Sequence, residues 1–389
     1  MRRVLLLSTT TGYQADAVLR AASELGVRVL LGTDRCRILE DPWGDGAVAL
    51  RFADSEGNVA ALSGASFDAV VALGDAPVVT AALVCQARGI PYHSEQAALA
   101  GRDKLILRRL LHAAGLKVPV FAEAYADSAP KFPCVLKPAS KSASQGVIRA
   151  DNVEEYRAAF KRIRSLGPGR ILVEDFIPGR EFALEGIVEH GRLNVLAIFD
   201  KPDPLDGPYF EETIYVTPSR LPTAAQAEIT DTVARAGHAL GMHHGPIHGE
   251  VRWNEAGAWV LEVAGRPIGG LCSRALRFPG EESLERVILR HALGESVSGV
   301  VRESAPSGVM MIPVPAAGIY AGVNGLEAAR AIPGVTAIEI TAKPGQKIEP
   351  WPDGSSYLGF IFAAGEAPLR LAHQALQFEI SISLPVWKA

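Results

Sequence analysis

Two glutamates set up the chemistry of this sequence. Gly249-Glu250-Val251-Arg252-Trp253-Asn254 and Ala258-Trp259-Val260-Leu261-Glu262-Val263 alternate apolar and polar residues around Glu255-Ala256-Gly257. That pattern spells an antiparallel hairpin with a three-residue loop ending in glycine. In this register Glu250 lies opposite Glu262. Like charges directly opposed destabilise a sheet, so the pair calls for a compensating cation. Carboxylate oxygens suit magnesium, which keeps several waters and leans on one or two carboxylates plus substrate phosphates. Trp253 and Trp259 sit at odd positions, so both are expected on the opposite face as packing residues. Ala264-Gly265-Arg266-Pro267-Ile268-Gly269-Gly270 follows at once. Arg266 can reach a transferring phosphoryl group and spread its charge. Gly269 and Gly270 let backbone amides approach a substrate carboxylate.

A second group of residues suits phosphates. Phe132-Pro133-Cys134-Val135-Leu136-Lys137-Pro138 delivers Lys137 at the end of a strand, at the mouth of a cleft. The following loop, Ala139 to Val147, is small and flexible with free N–H groups that can fold over phosphates. It lacks the Walker A order, and taken alone it also reads as a polar hairpin tip. Ile171 to Asp175 is a strand ending in two acids; beyond Phe176-Ile177-Pro178-Gly179-Arg180 comes Glu181. Such a strand can offer backbone groups to an adenine edge, and Glu181 can accept from ribose hydroxyls. An ordinary edge strand with acidic ends looks the same.

Three other features are weaker. His243-His244-Gly245-Pro246-Ile247-His248 invites a zinc reading, but Gly245 and Pro246 forbid the helical spacing that would converge two rings. His248, two residues before Glu250, is expected as a strand residue near the site. Arg274, after Ser273, suits either a substrate carboxylate or a helix start. Lys201 precedes Pro202-Asp203-Pro204 in a loop that can line an acceptor site.

Positioning these residues takes a sizeable framework. Over the first hundred residues short aliphatic runs (Val4–Leu7, Val27–Leu31, Ala69–Leu73) alternate with helical spacing at Ala15–Leu25 and Val78–Arg88. This is a parallel α/β sheet with crossovers. The turn after the first run, Ser8-Thr9-Thr10-Thr11-Gly12-Tyr13, lacks G-x-G-x-x-G, which argues against dinucleotide binding. Helices are expected over Asp103–Ala114, Val153–Leu166 and Ala224–Leu240. After about Glu303 a Gly- and Pro-rich region carries strands at Val335–Ile340 and Leu358–Ala363 and a last helix at Ala367–Gln377.

Composition bounds the function. The 389 residues hold 39 Lys and Arg against 43 Asp and Glu, a net charge of −4. A sequence-independent nucleic-acid binder needs a basic surface to displace counterions, so that class is excluded. A 48% hydrophobic share with 21% charged residues supports packed cores rather than disorder. Cys36, Cys85, Cys134 and Cys272 are scattered without a C-x-x-C pair, against a disulfide framework or a cysteine zinc site. The apolar run at the start stops at Ser8, too short for a leader or a span. The expectation is a cytoplasmic protein with no membrane and no nucleic-acid partner.

Taken together, the motifs from about Arg102 to Arg290 resemble the ATP-grasp superfamily. The preceding hundred residues resemble its pre-ATP-grasp domain. His248-Gly249-Glu250, the hairpin, Glu262-Val263-Ala264-Gly265-Arg266-Pro267-Ile268-Gly269-Gly270, and Phe210-Glu211-Glu212-Thr213 with Pro218-Ser219 are most similar to the L-amino-acid, dipeptide-forming ligases. The resemblance implies an α/β fold in three parts: a pre-ATP-grasp domain over 1–100, an ATP-grasp domain over 101–302 with a small lobe at about 118–178, and an α+β domain over 303–389.

It also implies site roles. Lys104 and Lys137 would hold ATP phosphates under a lid from Ser140 to Gly146 that includes Ser142 and Ser144. Glu174, Phe176 and Ile177 would meet adenine, and Glu181 the ribose. Glu250 and Glu262 would bind Mg2+, two ions being expected, with Mn2+ as a substitute. Arg266 would act with Lys137 in catalysis. Glu212, Tyr215, His248, Gly269, Gly270 and Arg274 would line the substrate site, with Glu212 near the first substrate's amino group. Ala264 stands where many relatives have Asn, and Tyr215 where the dipeptide ligases often have His.

The implied reaction activates a carboxylate as an acyl phosphate and joins it to an amine, releasing ADP and phosphate. Small-molecule acids and amines are the expected partners, and a homodimer the assembly to test. A ligase or carboxylase acting on bicarbonate or a non-amino acid, or a non-catalytic ATP-binding module, remain the alternatives.

Overall fold

The computed structural model describes residues 2–10, 12–34 and 47–381; Thr11 of the first turn and Cys36 lie outside them. Strands Arg3–Ser8, Arg28–Thr33, Val48–Ala49 and Ala69–Leu73 form a parallel sheet in which Arg3–Ser8 lies between Arg28–Thr33 and Ala69–Leu73. Val4 to Leu7 are fully buried because helices cover both faces, which is why this strand is aliphatic rather than alternating. Helix Val78–Arg88 ends at Gly89, whose φ of +65° is a left-handed cap that suits glycine.

A small antiparallel sheet follows, with strands in the order Phe121–Glu123, Ile171–Asp175, Cys134–Pro138, Ile148–Ala150. Helix Val153–Ser165 packs Tyr156, Ala159 and Ile163 on it; Asn152 caps this helix by accepting from the Glu155 amide at 3.0 Å. The cleft lies between this lobe and a large eight-stranded sheet. In order its strands are Gly257–Ala264, Gly245–Asn254, Arg180–Glu189, Arg192–Asp200, Ile214–Thr217, Ser307–Ile312, Gly359–Ala363 and Val335–Ile340. The region expected to begin at 303 thus extends the same sheet as the region before it. Strands Lys347–Ile348, Gly318–Asn324 and Gln377–Ser381 make a further small sheet. The last helix is Glu366–Ala375, and the residues after it return as a strand.

Strand periodicity assigns the two faces of the large sheet. Phe182, Leu184 and Val188, with Ile247 and Val251, pack on Ile229, Val233, Ala236 and Leu240 of helix Thr223–Leu240. The alternate positions therefore face the other way. There Glu185 lies beside His248, and Glu181 beside Arg252. A polar row is laid across the floor of the cleft.

Two hairpin details differ from the sequence reading. Asn254 pairs with Gly257, so the loop is Glu255-Ala256, two residues rather than three. An irregularity at Leu261 then restores the register and puts Glu250 opposite Glu262 as expected. The extra residue turns Trp259, paired with Arg252, onto the Arg252 face, contrary to the alternation argument. Trp253 keeps the expected face and donates to Glu228 at 3.1 Å. Among the described residues no helix is long and apolar enough to cross a membrane.

Candidate active site

A cleft of about 400 Å3 lies between the small lobe, the large sheet and the loop after Leu73. Its basic end is built from one helix and one strand of the small lobe. Asp103 caps helix Lys104–Ala113 by accepting from the Leu105 and Ile106 amides, which fixes Lys104 at the first helical position. Arg108, one turn on, shares that face and donates to Glu174 at 2.9 and 3.3 Å and to the Leu261 carbonyl at 2.8 Å. Lys137 pairs with Glu174 from the adjacent strand. Burial alone would raise the Glu174 pKa, but Arg108 and Lys137 outweigh it and hold the carboxyl at about 2. Burial in turn depresses the Lys137 pKa. Lys104 donates to the Lys141 carbonyl at 2.7 Å and lies 3.5 Å from Glu262.

The floor of the cleft is richer in carboxylates. Lys201, continuing the strand that ends at Asp200, is buried with its ammonium among three glutamates. It is 2.7 Å from Glu181, 3.1 Å from Glu250 and in contact with Glu212. Burial opposes the charge on Lys201, yet Glu181, Glu212 and Glu250 raise its pKa well above the ordinary value. Burial first, then repulsion from Glu250, pushes Glu212 up to about 7. His248 pairs with Glu185 through Nδ1 and with Glu250 through Nε2 at 3.2 Å. Burial disfavours its charged form, but the two carboxylates lift its pKa to about 10, so it is an imidazolium at neutral pH. Arg252 donates to Glu181 at 3.3 Å and to the Ile177 carbonyl at 2.8 Å. Arg266 is held by Asp75, from the N-terminal sheet, and lies 3.6 Å from Glu262.

Sixteen of the eighteen site residues expected from the sequence line this cleft. They are Lys104, Lys137, Ser142, Ser144, Glu174, Phe176, Ile177, Glu181, Glu212, Tyr215, His248, Glu250, Glu262, Arg266, Gly269 and Gly270. Two do not. Arg274 turns to the surface, pairing with Glu339 and lying 4.4 Å over the Phe362 ring, because its short 3-10 helix faces the neighbouring strands. Gly146 lies outside the lining, its amide donating to the Pro352 carbonyl at 2.9 Å. Glu174 lines the cleft, but its carboxylate is committed to Arg108 and Lys137. His243, His244 and His248 do not converge: His244 stacks on His291 at 4.0 Å while His248 faces the cleft.

Sequence reasoning missed Arg108, Asp75, Glu185 and Arg252. The sequence reads Lys201 as a loop residue; the acids that make it a strand-end counter-cation lie 11 to 49 positions away and leave no local signal.

The donor set tests the expected metal. Glu250 and Glu262 are opposed on the hairpin. Glu181, Glu212 and Glu250 have carboxylate oxygens within 4.8 Å of one another, the one such group among the described residues, but the Lys201 ammonium already sits among them, which leaves Glu250 with Glu262 as the donors for an ion. All are hard oxygen donors without sulfur, so the residues present fit a divalent ion of the magnesium type. The mixture of basic side chains and a small-residue loop opposite fits a nucleotide's phosphates.

The fold and the cleft define an ATP-grasp protein. A model of the ATP-grasp domain matches residues 130–275, and one for the L-amino acid ligase C-terminal domain 2 matches residues 310–383. The chain thus carries an ATP-grasp domain followed by a region that matches the C-terminal domain of the L-amino acid ligases, which it resembles. The crystal structure of an L-amino acid ligase from Bacillus licheniformis superposes with a TM-score of 0.83 at 26% identity, covering 98% of this chain and 99% of that one. Alanine–anticapsin ligase of Bacillus subtilis is 26% identical over 237 residues, 52% of this chain and 49% of that protein. D-alanine–D-alanine ligase of Bordetella petrii is 28% identical over 216 residues, 50% of this chain and 65% of that protein. The chain spans less than two thirds of the length of these two sequence relatives.

Proposed function

We propose that this chain is an ATP-dependent carboxylate–amine ligase whose substrates are amino acids and whose product is a dipeptide. A carboxylate is a poor electrophile until its resonance is broken. Transfer of the γ-phosphoryl group of ATP to one carboxylate oxygen gives an acyl phosphate and ADP. An amine nitrogen then attacks the carbonyl carbon, the bond to the phosphate oxygen breaks, and phosphate leaves with that oxygen. Phosphoryl transfer is dominated by positioning and charge neutralisation. Lys104 and Lys137 bind the phosphates, Arg266 spreads the charge of the transferring group and of the tetrahedral adduct, and Glu212 receives the first substrate's ammonium. Glu250 and Glu262 would hold divalent ions, which supply charge neutralisation at the phosphate oxygens. Phe176, Ile177 and Glu181 take the adenosine.

The observation that carries this reading is the convergence of Lys104, Lys137, Glu250, Glu262 and Arg266, from separate segments, on one cleft. Two Mg2+ ions, replaceable by Mn2+, a cytoplasmic location and a homodimer complete the proposal. The test is incubation with ATP, Mg2+ and amino acids singly and in pairs, with ADP and product masses measured. Product at the sum of two amino-acid masses less water supports the reading. ADP release with bicarbonate alone, or nucleotide binding without turnover on any acid and amine, overturns it.

A further inference from the structure

The loop over the phosphate end of the cleft is tied down by the C-terminal region. Trp351 donates from Nε1 to the Ala143 carbonyl at 2.8 Å. The Gln145 side-chain amide donates to the Asp353 carbonyl at 2.7 Å, and the Gly146 amide to the Pro352 carbonyl at 2.9 Å. Three consecutive residues thus hold three positions of the loop, Ala143, Gln145 and Gly146. Asp353 is itself fixed to the small lobe by Arg162, whose guanidinium donates at 3.0 and 2.8 Å.

Ala143 and Ser144, both with φ of 53°, hold left-handed conformations that residues with a Cβ adopt only at a cost. Such conformations persist where the surroundings over-determine them, and here the bonds from 351–353 do so. On its other side the buried Trp351 indole stacks on Tyr357, ring centroids 4.7 Å apart, and Tyr357 lines the cleft beside Tyr215 and Met311. One indole therefore touches both the loop and the wall of the cleft where the acid and amine would sit.

We infer that Trp351, with Pro352 and Asp353, is a clasp that keeps the 140–146 loop closed over the reacting centre and couples that closure to the substrate wall through Tyr357. Trp351 is a positioning residue; it does not touch the reacting atoms. The inference rests on the proposed ligase reading for its consequence. When the loop opens, water replaces the amine: its oxygen attacks the carbonyl carbon of the acyl phosphate, phosphate leaves, and the carboxylate is regenerated at the expense of one ATP.

Trp351→Phe keeps the stack and removes the indole N–H, and Arg162→Ala frees Asp353 from outside the cleft. Each variant is compared with the native chain for ADP formed per amide formed, for kcat and KM of ATP, and for hydrogen exchange at the Gly146 amide. The ratio is expected near one in the native chain and about five-fold higher in Trp351→Phe, the shift that loss of one ordinary hydrogen bond allows. Total ADP release holds within about two-fold, and Gly146 exchange speeds in both variants. A general folding defect would lower ADP and amide together. A native ratio with native exchange in Trp351→Phe overturns the clasp. A native chain that makes no amide from any pair overturns the ligase reading instead, and Gly146 exchange still decides whether the clasp exists.

Discussion

The two ends of the cleft solve opposite electrostatic problems. At the small-lobe end three cations, Lys104, Arg108 and Lys137, surround the single carboxylate Glu174, leaving positive charge aimed into the cleft. On the sheet floor Glu181, Glu185, Glu212 and Glu250 surround Lys201, His248 and Arg252, leaving negative charge. The first arrangement awaits anions, the second cations. A triphosphate laid along the cleft, its divalent ions toward the floor, satisfies both. Burial matters equally: Arg108, Glu174 and Lys201 are nearly fully buried, so the pairs they make are screened little by solvent.

Breaking the contrast at its chemical centre has the largest expected effect. Arg266→Met removes the guanidinium between the two ends and lowers kcat for ADP formation by about 10²–10³-fold, as loss of one charge-stabilising donor does. A variant within two-fold of native in steady-state ADP assays would remove Arg266 from the mechanism.

Stability comes next. Arg108→Met leaves Glu174 buried with one partner, and removing one member of a buried ion pair costs about 3–5 kcal/mol. Urea denaturation reads this directly; a midpoint unchanged from native would show that Lys137 alone satisfies Glu174.

The smallest effect sharpens the acidic end. Glu212, raised to about 7 by burial and Glu250, is largely protonated below that pH and ionised above it. Binding of a substrate ammonium needs the ionised form, so KM for the amino acid should fall as pH rises through about 7, and Glu212→Gln should flatten that profile. The folding contribution has the opposite sign: a carboxyl whose pKa is raised on folding favours the folded state below its unfolded pKa, and that gain disappears as pH rises through about 7. Native and Gln variants with parallel KM profiles would take Glu212 out of ammonium recognition.

Much of this cleft was legible in the sequence where the signal is local. The Glu250–Glu262 opposition follows from a hairpin pattern confined to a few residues, and Lys137 from a strand ending in Lys-Pro. The fold of the first hundred residues follows from aliphatic runs alternating with helical spacing. What escaped depends on partners far apart in the chain. Arg108 finds Glu174 across 66 positions, His248 finds Glu185 across 63, and Arg266 finds Asp75 across 191. The Pro-rich neighbours of Lys201 spell a loop, while its burial is set by the three acids around it. The bulge at Leu261 leaves no mark in composition, so strict alternation puts Trp259 on the face opposite to the one it occupies. Arg274 followed spacing from the glycine pair, but Glu339 and Phe362, from strands added to the sheet by the C-terminal region, draw it to the surface.

The opposed glutamates carry the reading, and Glu262→Gln tests them with little change of shape. With ATP, saturating Mg2+ and a productive amino-acid pair, its rate of ADP release should fall on the order of 10²-fold or more while its melting temperature stays near native. Turnover equal to the native chain would contradict the assignment of Glu250 and Glu262 as the metal-binding pair.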